Sequence, residues 1–239
     1  MNNVPEIAGV LFDIDDTLVD LETAMGRTLH QVGADTLAHL SDADWIEYKR
    51  LYAHDPLGWY DRFLAGELTF TEQRLHRARH AQAAFVEEPL EGAAARRWNT
   101  AYEATLPLHF EPYDDVIPLL DTLDAAKVPY GAVSNNVHDY QRAKLDRSGL
   151  QRFAVLVGID TVGVAKPDPA IYLEGARQLG TRPERTLYVG DNRLVDAESA
   201  SAAGLIGVWL DRRSAGPADF SGHRITSLAD VLQFLPNVR

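Results

Sequence analysis

The 239 residues are 46% hydrophobic and 24% charged, with 17 Gly and 12 Pro, the balance of an ordinary globular chain rather than a disordered or fibrous one. Asp and Glu outnumber Lys and Arg by 35 to 23, a formal charge of −12 with no Lys/Arg-rich run, which argues against a grip on a nucleic-acid backbone. The absence of Cys excludes disulfides, Cys-ligated zinc, iron–sulfur clusters and a thiol nucleophile, so any bound metal must be held by oxygen or His.

Residues 1–6 contain neither a basic n-region nor an apolar h-region, and no stretch approaches the roughly twenty apolar residues of a membrane span; the expected location is a reducing cytoplasm, with no membrane partner. Residues 7–13, IAGVLFD, read as a buried parallel strand that delivers carboxylates at its end. From 21 to 106 the chain is rich in Ala, Leu, Arg, Glu and Gln at helical spacing, broken at Asp55-Pro56-Leu57-Gly58 and Glu88-Pro89, which predicts a helical module. After Pro107 and Pro112 helices and strands alternate: helix 114–126, strand 130–134, helix 137–148, strand 153–158, helix 169–179, strand 186–189, strand 205–210 and a last helix over 228–234. The fold class is α/β: a doubly wound, Rossmann-like parallel sheet built from 1–19 and 108–239, with an all-helical module, 20–107, inserted after the first strand. Residues 211–223 read as the one long loop.

In an open parallel sheet, ligands bind beyond the carboxyl ends of the strands. The first strand runs into Asp13-Ile14-Asp15-Asp16-Thr17-Leu18 and the second into Ser134-Asn135-Asn136; Lys166-Pro167-Asp168-Pro169 precedes a helix, and Gly190-Asp191 ends a later strand with Asp196 five residues on. Carboxylates converging on one edge repel unless a cation holds them or some stay protonated. Without Cys the natural cation is Mg²⁺, a hard ion that takes oxygen ligands and leaves room for water and a substrate phosphate. Asp13 and Asp191 are the ligand candidates, with the backbone carbonyl of Asp15 as a third. Asp16 and Asp20 suit the start of a helix, while Asn136 either touches substrate or caps the following helix.

FDIDDTL, VSNN, KPDP and VGDNRLVD resemble, in order, the four motifs of the haloacid dehalogenase-like (HAD) phosphohydrolases, and the resemblance covers the whole chain. The inserted helices resemble the C1 cap of the branch that holds phosphoglycolate phosphatases and small nucleotidases. The resemblance implies that Asp13 is a nucleophile forming an aspartyl-phosphate, and that Asp15 is the general acid/base for the leaving alcohol and the hydrolytic water. It further implies that Thr17 orders the loop and holds Asp15, that Ser134 and the N–H of Asn135 bind phosphoryl oxygens, and that Lys166 neutralises charge on the phosphoryl group and Asp13. Asp191 then closes the Mg²⁺ site, and Asp196 supports it through water or through Lys166.

The implied activity is Mg²⁺-dependent hydrolysis of a small phosphorylated metabolite or nucleoside monophosphate by a monomer or small homo-oligomer. A β-phosphoglucomutase-type mutase would use the same core residues. A haloacid dehalogenase expels halide without protonation and lacks an acid at the position of Asp15; a phosphonatase uses a cap lysine, yet the first Lys here is Lys49. A non-catalytic phosphate-binding protein would lose the nucleophile or the acid, and both are present. In the inserted module Trp45, Tyr48, Tyr52, Trp59, Tyr60 and Phe63 are expected to pack as core, His76 and His80 to share a surface face, and the His54–Gly58 turn to carry specificity.

Overall fold

In the computed structural model, which describes residues 6–217, 219–235 and 238, the first apolar run forms β1 (Gly9–Phe12), buried along its whole length. Residues 1–5, on which the expectation of no leader mostly rests, lie outside the described residues. The chain divides into two compact units, one of them Leu21–Phe110 and the other formed by the flanking segments.

Leu21–Phe110 contains α1 (Leu21–Gly33), α2 (Asp42–His54), α3 (Trp59–Leu64), α4 (Phe70–Gln82) and α5 (Gly92–Thr105), closed by a 3-10 turn, Leu106–His109, that packs on α1. The breaks containing Pro56 and Pro89 separate α2 from α3 and α4 from α5. Two further breaks contain no Pro and are set instead by the N-caps Ser41 and Thr69, whose hydroxyls accept the N–H of Asp44 and Glu72 while those carboxylates accept the N–H of Ser41 and Thr69. Trp45, Tyr48 and Tyr52 are buried with Trp98 and Tyr102. Trp59, Tyr60 and Phe63 are only half-buried, because short α3 lies at the edge of this unit and buries no residue fully. His76 is not on an open face: it stacks on Trp59 with 4.3 Å between ring centres, and burial together with Arg79 and Arg62 lowers its pKa. Asp55, in the left-handed region at φ 44°, turns the His54–Gly58 segment back by accepting the Tyr60 N–H at 2.7 Å.

The second unit continues with α6 (Val116–Ala125), β2 (Tyr130–Val133), α7 (His138–Arg147), β3 (Val155–Val157), α8 (Ile159–Val162), α9 (Pro169–Leu179), β4 (Thr186–Gly190), α10 (Ser199–Ala202), β5 (Ile206–Leu210) and β6 (His223–Ile225). All six strands are parallel, in the order β3-β2-β1-β4-β5-β6. One face packs Leu11, Val133, Val157 and Tyr188 against Ile171 and Tyr172 of α9, where Asp168 caps the helix through the Ala170 N–H and Pro169 occupies its first turn. The expected loop over 211–223 runs at His223 into a sixth strand, 223–225, beside β5, and the helix expected over 228–234 is a 3-10 helix, entered through a Ser227–Asp230 capping box.

This topology positions the chemistry. From β1 the chain fills the sheet through β2 and β3 on one side, and β4 returns to the other side of β1, so the carboxyl ends of β1 and β4 flank the point where the winding reverses. Phe12 registers with Val189, which sets Asp13 and Asp191 at adjacent strand ends. Where the chain leaves this unit and comes back, Val19 bridges Pro112, and Glu111 accepts the Asp20 N–H at 3.0 Å.

Candidate active site

Asp13 follows β1 directly, its N–H donating to the Val189 carbonyl at 2.9 Å, and its side chain is buried. Lys166 Nζ donates to Asp13 Oδ1 at 2.6 Å, to Asp196 Oδ1 at 2.7 Å and to the Tyr188 hydroxyl at 3.1 Å, so one buried ammonium joins two carboxylates. Burial pushes the Asp13 carboxyl up to about 7, with Asp196 and Asp15 adding to the effect and Lys166 opposing it. Lys166 itself is held well above its ordinary value: burial pulls it down, but Asp13 and Asp196 overcome that.

The loop after β1 turns through Asp16, at φ 57°, whose N–H donates to the Val19 carbonyl at 2.8 Å. Fully buried Thr17 accepts the Asp191 N–H on Oγ1 at 3.0 Å, tying the loops after β1 and β4 together. That tie goes to Asp191 rather than to Asp15, so Thr17 orders the loop without holding Asp15 as expected. The Asp15 carboxylate is instead gripped by α7: Lys144 Nζ donates to Oδ1, and Gln141 Nε2 donates to Oδ2 at 2.9 Å and to Ser134 Oγ at 2.5 Å.

Asn135 clamps the backbone of Lys166, donating from Nδ2 to its carbonyl at 2.9 Å and accepting its N–H on Oδ1 at 2.6 Å. The side chain thus fixes the lysine. Asn136 accepts the Val137 N–H on Oδ1 at 2.8 Å and, through its carbonyl, the Ile159 N–H at 3.0 Å, while α7 is entered at Val137 with no side-chain cap.

The five-residue step from Asp191 to Asp196 is taken by a π-helical segment, Arg193–Glu198, entered at Asn192. The wider turn returns the Asp196 carboxylate over the end of β4, where Oδ2 accepts the Asn192 N–H at 3.0 Å while Oδ1 meets Lys166. Gly190 makes this approach possible, since a Cβ there would lie 2.3 Å from Asp196 Cγ. Gly190→Ala is expected to destabilise the protein by about 1–3 kcal/mol through forced displacement of Asp196, measured by urea unfolding; unchanged stability would contradict this packing.

Carboxylate oxygens of Asp13, Asp191 and Asp196, one from each, lie within 4.8 Å of one another. Asp191 is the exposed member; partial desolvation and the charges of Asp13, Asp196 and Asp16 push its carboxyl well above the ordinary range. Asp196 accepts on both oxygens, from Lys166 and Asn192, and Asp13 on one, from Lys166, so Asp13 and Asp191 keep the more lone pairs for a cation. Hard oxygen donors carrying uncompensated negative charge fit a divalent ion of the Mg²⁺ type.

Sequence reading missed Lys144, Gln141, Tyr188 and Arg212. Arg212 pairs with both oxygens of Asp115 at 2.8 and 3.0 Å and donates to the Thr17 carbonyl at 2.8 Å, anchoring the loop after β1 from the far end of the chain.

The sequence matches the haloacid dehalogenase-like hydrolase family over residues 7–204. The chain belongs to this family. Among curated relatives, the glyceraldehyde 3-phosphate phosphatase of Methanopyrus kandleri is 40% identical over 113 residues, 47% of this chain and 48% of that protein; the match thus spans about half of that relative. The (S)-2-haloacid dehalogenase of Pseudomonas fluorescens is 26% identical over 97% of both chains. The phosphoglycolate phosphatase of Xylella fastidiosa strain 9a5c is 36% identical over 45% of this chain and 48% of its own. Among solved structures, the magnesium-bound HAD-hydrolase YfnB of Bacillus subtilis superimposes with TM-score 0.78 at 22% identity, covering 97% of this chain and 99% of its own, and so shares the fold. As a HAD-like hydrolase the protein is an enzyme, and among its described residues no helix is long and apolar enough to cross a membrane.

Proposed function

We propose that this HAD-like hydrolase is a divalent-cation-dependent phosphomonoesterase that cleaves a small phosphorylated metabolite through an aspartyl-phosphate on Asp13. The observation that carries this reading is the pair of carboxylates two residues apart in different surroundings: Asp13 against Lys166, Asp15 against Lys144 and Gln141. In this reading one serves as the nucleophile, its charge offset in part by a buried cation. The other is a separate acid, needed to expel an alkoxide and unnecessary for expelling halide.

In this mechanism an oxygen of Asp13 attacks phosphorus in line as the bond to the leaving oxygen breaks, and Asp15 protonates that oxygen. Ser134 Oγ and the Asn135 N–H hold the phosphoryl oxygens while Lys166 offsets their charge. Asp15 then takes a proton from the water that hydrolyses the acyl-phosphate. Asp13, Asp191 and the backbone carbonyl of Asp15 would hold Mg²⁺, which when bound neutralises charge on the phosphoryl oxygens. Substrates of this class are those named for the phosphatase relatives: small, anionic and soluble.

The full-length likeness to a haloacid dehalogenase supports a second reading, hydrolytic dehalogenation. Release of inorganic phosphate from sugar phosphates, phosphoglycolate and nucleoside monophosphates, against release of halide from 2-haloacids, separates the two. EDTA-sensitive phosphate release is expected; halide release with no phosphate release would replace the proposal.

The raised carboxyls also give a pH signature. With the Asp13 carboxyl at about 7 in the folded protein and 3.8 as its ordinary value, the folded state keeps a proton that the unfolded chain has lost, so metal-free stability falls as pH rises across that interval. A cation takes the place of that proton. The rise in Tm on adding Mg²⁺ is therefore expected to be larger at pH 8 than at pH 5, and an equal or smaller shift at pH 8 would remove the carboxylates from the metal site.

A further inference from the structure

Helix α7 directs Gln141, Lys144, Leu145 and Ser148 into the protein, the i, i+3, i+4, i+7 stripe that a helix normally fills with apolar side chains. An ammonium in such a place is costly unless it is partnered, and Lys144, 1% exposed, is partnered by the Asp15 carboxylate. Gln141, fully buried, donates to the other oxygen of the same carboxylate and to the Ser134 hydroxyl. Two side chains one turn apart thus hold both oxygens of Asp15 and link them to Ser134. A carboxylate gripped at both oxygens cannot rotate, yet each oxygen retains a second lone-pair direction for a proton.

Resting on the phosphatase reading, we propose that Lys144 and Gln141 are positioning residues for phosphoester cleavage. They fix the Asp15 carboxyl in the orientation from which its proton passes to the leaving oxygen as the P–O bond breaks and the bond from Asp13 to phosphorus forms; the hydrolytic water later returns a proton to Asp15. Neither residue is itself assigned to the phosphoryl group, and Gln141 also supports its ligand Ser134. Acting through Asp15, they serve both its acid and its base step, and only the acid step depends on the leaving group.

That difference makes the proposal testable by leaving group. Wild type, Lys144→Met, Lys144→Arg and Gln141→Leu are compared on the best alkyl phosphate of the substrate panel, whose alkoxide requires a proton, and on p-nitrophenyl phosphate, whose phenolate does not. Lys144→Met is expected to lower kcat/KM, which reports transfer of the phosphoryl group to Asp13 and not the later hydrolysis, by about 100-fold on the alkyl ester but by less than about fivefold on the aryl ester, on the scale of a lost general acid. Gln141→Leu should show the same asymmetry to a smaller degree, and Lys144→Arg should recover part of the loss. Equal losses on both esters, or none on the alkyl ester, overturn the proposal. If Lys144→Met does not fold, as judged by circular dichroism, the Gln141→Leu and Lys144→Arg profiles decide it alone. A folded wild type that hydrolyses neither ester refutes the phosphatase reading itself, and this proposal falls with it.

Discussion

Replacing Asp13 by Asn is expected to lower kcat by at least about 10³-fold, roughly 4 kcal/mol of barrier, while leaving the fold intact. The substitution keeps the shape of the side chain and its place at the end of β1, where the backbone N–H still meets Val189. It removes the oxygen nucleophile, for which an amide is no substitute. Stability should move little, or upward. In metal-free protein burial pushes the Asp13 and Asp191 carboxyls up, and the charges of the neighbouring acids add to that. Removing one acid relieves that strain, so the Tm of Asp13→Asn in EDTA at pH 8 is expected to equal or exceed that of wild type. Phosphate release within tenfold of wild type would place the nucleophile elsewhere; lost turnover with a collapsed Tm would assign Asp13 a structural role instead.

Lys166→Met is expected to produce the largest loss of stability of any single change in the site. The side chain is buried and its three donors serve Asp13, Asp196 and Tyr188, so its removal strands two carboxylates with no cation in a region poor in water. Breaking a buried pair by deleting one partner costs about 3–5 kcal/mol, which for a protein of this size lowers Tm by about 6–20 °C. The pH dependence has a definite sign. Protonation neutralises the stranded acids, so the penalty measured in EDTA should be larger at pH 8 than at pH 5. A loss below about 1 kcal/mol at pH 8 would show that the acids are compensated by something other than this ammonium.

How much of this was legible in the sequence depended on the kind of signal each residue leaves. Asp13, Ser134, Lys166 and Asp191 stand next to apolar runs or Pro-marked helix starts, and a parallel sheet gathers strand ends on one edge, so their convergence could be read without coordinates. Gln141 and Lys144 leave the opposite signal: they lie on the buried stripe of a helix whose composition is strongly polar, and a search for apolar periodicity passes over them. Residues 223–225 escaped notice because a three-residue strand beside Gly, Ser and Pro has no pattern of its own and is assigned by pairing with β5. The Pro-free breaks in the inserted unit were equally silent to a search for Pro, although Ser41-x-x-Asp44 and Thr69-x-x-Glu72 were present as capping signals.

The sequence by itself determined the α/β class, the order of strands and helices in outline, and the residue types available for chemistry, because hydrophobic period and turn residues are local properties. Tertiary structure alone decided which charges meet. That Lys166 joins Asp13 to Asp196, that Thr17 bonds Asp191 rather than Asp15, and that Lys144 reaches Asp15 across 129 positions of chain follow from the reversal of winding at β1 and β4 and from the inward face of α7. Ion pairing in a buried site depends on distances of a few ångström between segments remote in sequence, and that information exists only once the sheet has formed.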